Sequence, residues 1–403
     1  MADAISKLYG DAVASGLVPG VSVIAGDKEG KVLYSKSFGK ASLRKDRDEP
    51  FTEFSVCSIA SLTKLMTSVA VLQCVEQGKL NLDQDARPML ALMGQHGVIT
   101  SFNDERNAAV LEANATPITL RMLLTHTSGH EYHWLNPLLG KWRASRGEAV
   151  MSGATLDEKS AMPLVFAPGE GFAYGQGHDW AGRAVELVTG STLDEYMCQH
   201  IWAPLGIEND TTFSPKTAPG IWERIVDLST LNEKGQPPAV DASDRFDQML
   251  NFADCFGGIG VFTSAAAFYT FLSAVFRRDA RLLQPDSYEE LFRPQLDAVA
   301  EQAMNDYLHR SPMHTQLLAM GIPPTIRKTW SLAGMVAQSG QEGRFGKGTT
   351  LWEGMPNLEW FMDHEAGVCG TAFCQVLPPL HPNIMSLHEQ FQREVFGMVQ
   401  RGR

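Results

Sequence analysis

The sequence predicts an α/β protein of the α+β type. An antiparallel sheet is built from both chain ends and flanked by helices, with a mostly helical lobe inserted between its strands. Three observations carry this reading. Strand-like runs appear near the N-terminus and again in the last third of the chain. The middle has helical spacing, broken by Pro-Gly, Pro-Leu-Gly and Pro-Pro. No repeat, low-complexity tract or linker divides the 403 residues. The expected organisation is a discontinuous sheet lobe, residues 1–61 and 257–403, and a helical lobe, residues 62–256. A site would sit at their junction.

The elements follow in order. A helix over 3–15 opens the chain. Strands over 21–25 and 31–38 are joined at Asp27-Lys28-Glu29-Gly30, which reads as a hairpin turn. Over 61–78, Leu65, Val69, Leu72 and Val75 share one face of a helix, and Gly78 suits its C-cap. Helices are predicted over 119–124, 180–188 and 193–200. Residues 255–276 carry no charge, but Gly257, Gly258 and Gly260 break the first half. The remaining helix of ~13 residues is too short for a bilayer core of ~30 Å. A glycine turn before a core helix is expected. Strands over 330–338, 348–352, 358–363 and 368–376 and a closing helix over 386–400 complete the chain.

Composition excludes several classes. The balance of 34 basic and 46 acidic residues gives a net charge of −12, which argues against a nucleic-acid or anionic-membrane binder. The six cysteines include no CxxC or metal-finger spacing, so free thiols are expected. The first residues carry acids and no apolar run, which reads as no secretory signal and a cytoplasmic protein. Nothing suggests an obligate assembly, so a monomer is expected.

Chemistry is best sought in the pattern Ser-x-x-Lys. A helix places positions i and i+3 side by side. A serine hydroxyl needs a base to become a nucleophile, and a desolvated lysine can be that base. The chain holds three copies. Ser37 to Lys40 ends a strand, and Ser42 to Lys45 enters a charged run. Only Ser61-Leu62-Thr63-Lys64 opens a long amphipathic helix. The bland alternative for Ser61 is a helix cap. Tyr174 stands in a glycine-rich turn, Gly169 to Gly177, where a backbone approaches a ligand closely. A neighbouring lysine would favour its phenolate, making it a candidate base. The alternative is a core tyrosine. His126, His130 and His133 lack a shared helical face and the H-E-x-x-H register, so a structural turn is expected rather than a metal site. No G-x-S-x-G, P-loop or G-x-G-x-x-G occurs, and no cofactor is implied.

Ser61 to Lys64, Leu123 to Gly129 (LLTHTSG), Pro168-Gly169 with Tyr174, and Pro204 to Ile207 (PLGI) occur in this order. Together they resemble the class C β-lactamase-like serine hydrolases, a superfamily that includes penicillin-binding proteins and family VIII esterases. Further pieces, Ile118 to Gly129, Asp179 to Gly182, Cys255 to Gly258 and Leu282 to Pro285, are similar to its fungal acyltransferase branch, which attaches the lovastatin side chain. The resemblance implies a β-lactamase/transpeptidase-like fold with Ser61 as nucleophile, Lys64 as its partner and Tyr174 as the catalytic tyrosine. It implies that Trp352-Glu353-Gly354 is the third motif, that these three residues bind substrate together with Gln176 and Phe172, and that the backbone N–H groups of Ser61 and Met355 form the oxyanion hole. Gln176 stands where lactamases carry Asn. Trp352, with Glu353 beside it, stands where they carry a cation for the drug's carboxylate, so efficient β-lactam turnover is not expected. Trp352 reads as a wall of the acyl pocket or as a core aromatic, and Phe172 as part of an apolar acceptor pocket or as core. The implied function is transfer of an acyl group from a small thioester or ester, free or on a carrier protein, to a hydroxyl of a secondary metabolite. A carboxylesterase and an inactive ligand-binding scaffold are the alternatives.

Overall fold

In the computed structural model, which describes residues 2–149, 151–245 and 250–401, a seven-stranded antiparallel sheet organises the chain. Its strands are β1 (Gly20–Asp27), β2 (Val32–Gly39), β3 (Lys328–Trp330), β4 (Met335–Ala337), β5 (Thr350–Gly354), β6 (Leu358–Asp363) and β7 (Val368–Phe373). They lie in the order β3-β4-β5-β6-β7-β1-β2. Both chain ends thus meet where β1 pairs with β7, Ser22 facing Phe373.

Period-two alternation sends side chains to the two faces. One face receives α1 (Ala2–Ala14) and the closing helix, α5 (Pro382–Arg401). There Phe391 packs on Phe361, Tyr9 and Tyr34. On the other face lies α4 (Ala265–Phe276), whose Phe268 packs on Phe373. Ser264 caps α4 by accepting the N–H of Ala267, so the charge-free stretch is the glycine turn and core helix expected. Among the described residues, no helix is long and apolar enough to cross a membrane.

The segment between β2 and β3 is largely helical and includes α2 (Thr63–Glu76) and α3 (Gly177–Thr189). It also contains a hairpin, Val98–Asn103 with Ala108–Glu112, that period reading passed over. Two other expectations are corrected. Helix α2 is not amphipathic, because every residue from Thr63 to Cys74 is buried. Residues 330–338 are not one strand. Ser331 Oγ accepts the N–H groups of Ala333 and Gly334, and this local bonding makes a turn between β3 and β4.

Candidate active site

Ser61 lies in a single 3-10 turn, Ala60–Leu62, immediately before α2. Ala60 holds φ +43°, a left-handed conformation that costs a non-glycine residue energy and sharpens the turn. Ser61 does not cap the helix. The N-cap is Leu62, with no side-chain cap.

The Ser61 hydroxyl stands between two polar groups. Tyr174 OH donates to Ser61 Oγ at 2.8 Å, and Lys64 Nζ lies 3.2 Å from the same oxygen. Lys64 Nζ also reaches Tyr132 OH at 3.2 Å and Gly258 O at 2.9 Å. Trp352 Nε1 donates to Tyr174 OH at 3.0 Å, so the indole fixes the phenol from strand β5. Asp179, at the start of α3, accepts the Gly258 N–H at 2.7 Å. A Cβ on Gly258 would stand 2.8 Å from Asp179 Oδ1 and 3.4 Å from Lys64 Nζ. Only glycine allows the backbone to pass between the acid and the amine.

Burial sets the protonation states. Desolvation lowers Lys64 to about 7, against the opposing pull of Asp179. Desolvation also raises Asp179 to about 6, while Lys64 and the Gly258 N–H hold it down. A neutral Lys64 amine has two N–H donors and one lone pair. Gly258 O and Tyr132 OH take the donors, leaving the lone pair for the Ser61 hydroxyl. The phenolate expectation for Tyr174 is corrected. Burial raises this phenol well above its ordinary value, more than the Ser61 and Trp352 hydrogen bonds lower it. Tyr174 is a neutral donor in the resting site, and Lys64 is the group poised to accept a proton.

These groups open into a narrow cavity of about 60 Å³. Ser61, Tyr174, Gln176, Trp352, Glu353 and Met355 all border it. The Gln176 side-chain carbonyl is buried without a partner. Met355 follows β5 directly. Three predicted substrate contacts differ from expectation. Gly354 does not line the cavity. A Cβ there would stand 2.6 Å from Ile59 O, so glycine lets β5 close onto the Ser61 turn. Phe172 packs instead against His126, Tyr307 and Trp330. Glu353 borders the cavity, but its carboxyl belongs to the opposite sheet face, where its cross-strand neighbour is Glu359.

The other Ser-x-x-Lys copies are structural. Ser37 Oγ donates to Ser22 Oγ, and Ser42 Oγ donates to Asp227. His126 packs on Tyr174, Trp330 and His178, and His130 Nδ1 bonds Ser128 Oγ. Sequence reasoning missed Tyr132 and Asp179 as site residues. Tyr132 sits inside the histidine run that was weighed for metal. Asp179 is a charge two positions into a helix that is otherwise buried there, a signal that was legible.

The fold is that of β-lactamases and penicillin-binding proteins. The chain belongs to the Beta-lactamase family, whose model matches residues 5–386. It is 34% identical to a lovastatin esterase of Penicillium rubens, over 96% of each chain. It is also 34% identical to monacolin J acid methylbutanoyltransferase of Aspergillus terreus, over 97% of this chain and 94% of that one. A solved simvastatin synthase from Aspergillus terreus, a LovD6 mutant, superposes with a TM-score of 0.89 at 32% identity, covering 98% of this chain and 95% of that one.

Proposed function

We propose that this protein is a serine acyltransferase that moves an acyl group from a thioester or ester to a small-molecule hydroxyl. The observation that carries the reading is the Ser61 oxygen held jointly by Tyr174 and Lys64 at a narrow cavity. Full-length relatives named for acyl transfer support the substrate class.

In the first step Ser61 Oγ attacks the donor carbonyl carbon and passes its proton to neutral Lys64. The carbonyl oxygen takes the electron pair, and the backbone N–H groups of Ser61 and Met355 stabilise it. The C–S bond breaks, and the thiolate leaves with a proton relayed through Tyr174. In the second step an acceptor hydroxyl attacks the acyl-enzyme and gives its proton to the same pair. The bond from the carbonyl carbon to Ser61 Oγ then breaks, and Ser61 recovers its proton. The same reading assigns Trp352 to the acyl pocket wall and Gln176 to a polar contact with substrate. It places the site where residues 1–61 and 257–403 meet residues 62–256.

Hydrolysis is a second reading, favoured by one observation: a lovastatin esterase is as similar to this chain as a transferase is. Intact-protein mass spectrometry with a short acyl thioester tests both. A persistent adduct on wild type, absent in Ser61→Ala, is expected. Rapid free acid without an adduct, only in wild type, selects the esterase. Identical behaviour of the two proteins overturns both readings.

A further inference from the structure

Asp179 answers to two lysines. Lys64 meets it across the Gly258 backbone. Lys159 meets it from the short helix Leu156–Ser160, which packs against α3. Lys159 and Asp179 both border the cavity that holds Ser61, at 7% and 1% exposure.

Lys159 is anchored where it stands. Its Nζ donates to Met151 O at 2.8 Å, with a longer contact to Gly153 O at 3.4 Å, and lies over the Phe252 ring. Met151 is fixed in turn, because its N–H donates to His133 Nε2 at 3.1 Å. The ammonium is thus kept out of solvent and within electrostatic reach of Asp179.

The other titratable groups around the two are neutral or engaged elsewhere. Burial keeps His126 and His178 uncharged, and Tyr132 and Tyr174 as phenols. Burial also lowers His133 to about 4, so its ring is neutral at neutral pH. Arg143 repels Lys159 but is bonded to Glu158 O and Ser152, with Glu148 at 3.4 Å. Glu353 is held protonated by burial. Asp179 is the acid whose attraction reaches Lys159, and Lys64 and Lys159 are the cations that favour a charged Asp179, helped by the Gly258 N–H and the Ser160 hydroxyl.

The two lysines behave differently through the reaction. Lys64 changes charge in each acyl step, because it takes the Ser61 proton and returns it. Whenever Lys64 is neutral, Asp179 loses that counter-ion in a buried place, where a lone carboxylate is penalised. Lys159 bonds only backbone carbonyls, so no proton transfer is asked of it and its charge persists.

We propose that Lys159 is a positioning residue for the acyl chemistry: the standing counter-ion that keeps Asp179 charged while Lys64 gives up and regains its proton. A charged Asp179 in turn strengthens Lys64 as a base, so Lys159 acts on Lys64 through Asp179. The inference rests on the acyl-transfer reading above and adds how its base is tuned. The sign separates this from direct repulsion between the lysines. Direct repulsion weakens Lys64 as a base, and its removal would raise the Lys64 pKa. Action through Asp179 sustains that pKa, and its removal lowers it.

The test is the pH profile of acylation by a short acyl thioester, followed by stopped-flow thiol release. Lys159→Gln removes the charge but keeps an N–H donor for Met151 O, and Lys159→Met removes both. Either should move the acidic limb to lower pH by about half a unit and lower the plateau about fivefold. Lys159→Arg retains the cation and should stay within about twofold of the wild-type plateau with an unmoved limb. In an Asp179→Asn background, Lys159→Gln should move the limb no further to lower pH, since the group it acts through is gone. A limb that stays put in the neutral variants, moves to higher pH, or moves equally far down in the Asp179→Asn background would overturn the proposal. If wild type releases no thiol, the acyl-transfer reading fails first. NMR titration of isotope-labelled aspartate, with Asp179 assigned by its loss in Asp179→Asn, then decides the counter-ion role. A higher Asp179 pKa in Lys159→Gln supports it, and an unmoved or lower one refutes it.

Discussion

Two buried ionisable pairs flank strand β5, and burial acts on them in opposite ways. On the Trp352 side, Lys64 and Asp179 have opposite charges. Desolvation pulls them toward each other, to about 7 and about 6. On the other side, Glu353 and Glu359 have like charges and are direct neighbours across the β5–β6 ladder. Desolvation raises both: Glu359 to about 7 against the opposing pull of Arg344, and Glu353, with repulsion from Glu359 added, well above its ordinary value. Neither Glu353 oxygen has a partner. Low dielectric penalises charge in both places. The pair of opposite sign is left poised between charged and neutral beside Ser61. Of the acid pair, Glu353 is held protonated and Glu359 titrates near neutral pH, away from the Ser61 hydroxyl.

The comparison breaks most sharply at Lys64. Replacing it with Met leaves Ser61 without a base. Acylation measured by stopped-flow thiol release should fall about 1000-fold, within the usual range for losing a general base. A loss below tenfold would move the base to Tyr174.

Asp179→Asn sharpens the same side. The carboxylate favours the charged lysine, so removing it lowers the Lys64 pKa further below about 7. Asparagine Oδ1 still accepts the Gly258 N–H. The acidic limb of the acylation pH profile should shift to lower pH by about one unit. An unmoved limb would show that another group titrates there.

The other side is read by stability. Glu359 is raised in the folded state, so its contribution is fully present below its ordinary pKa of 4.5 and is lost as pH rises through about 7. Glu359→Gln should flatten the dependence of Tm on pH across that window and leave acylation unchanged. A wild-type Tm that climbs from pH 4.5 to 7 would contradict the assignment.

The smallest effect is expected at Phe172, which packs on Trp330 and does not border the cavity. Phe172→Leu should keep acceptor KM within about threefold while lowering Tm, because a buried aromatic is lost. A selective rise in KM would return it to the substrate pocket.

Sequence alone determined the outline of the sheet. Alternating apolar runs specify strands locally, and turn residues separate them. It singled out Ser61, Lys64 and Tyr174, because i, i+3 spacing and a glycine-rich turn are local signals. It also located the Trp352 motif by resemblance. Local periodicity did not reveal that α2 would be buried all round, since burial depends on what packs against it. Nor did it say which face of β5 would look onto the site, because that depends on Tyr174 packing on the Trp352 side and Glu359 lying beside Glu353. Only the tertiary structure brought Asp179 and Gly258 beside Lys64, 79 residues apart from each other in the chain. Only it joined His133 and Lys159 through Met151. The physical reason is the same in each case. A residue's type and spacing are fixed by the chain, but its pKa and its partners are set by solvent exclusion and by groups distant in sequence.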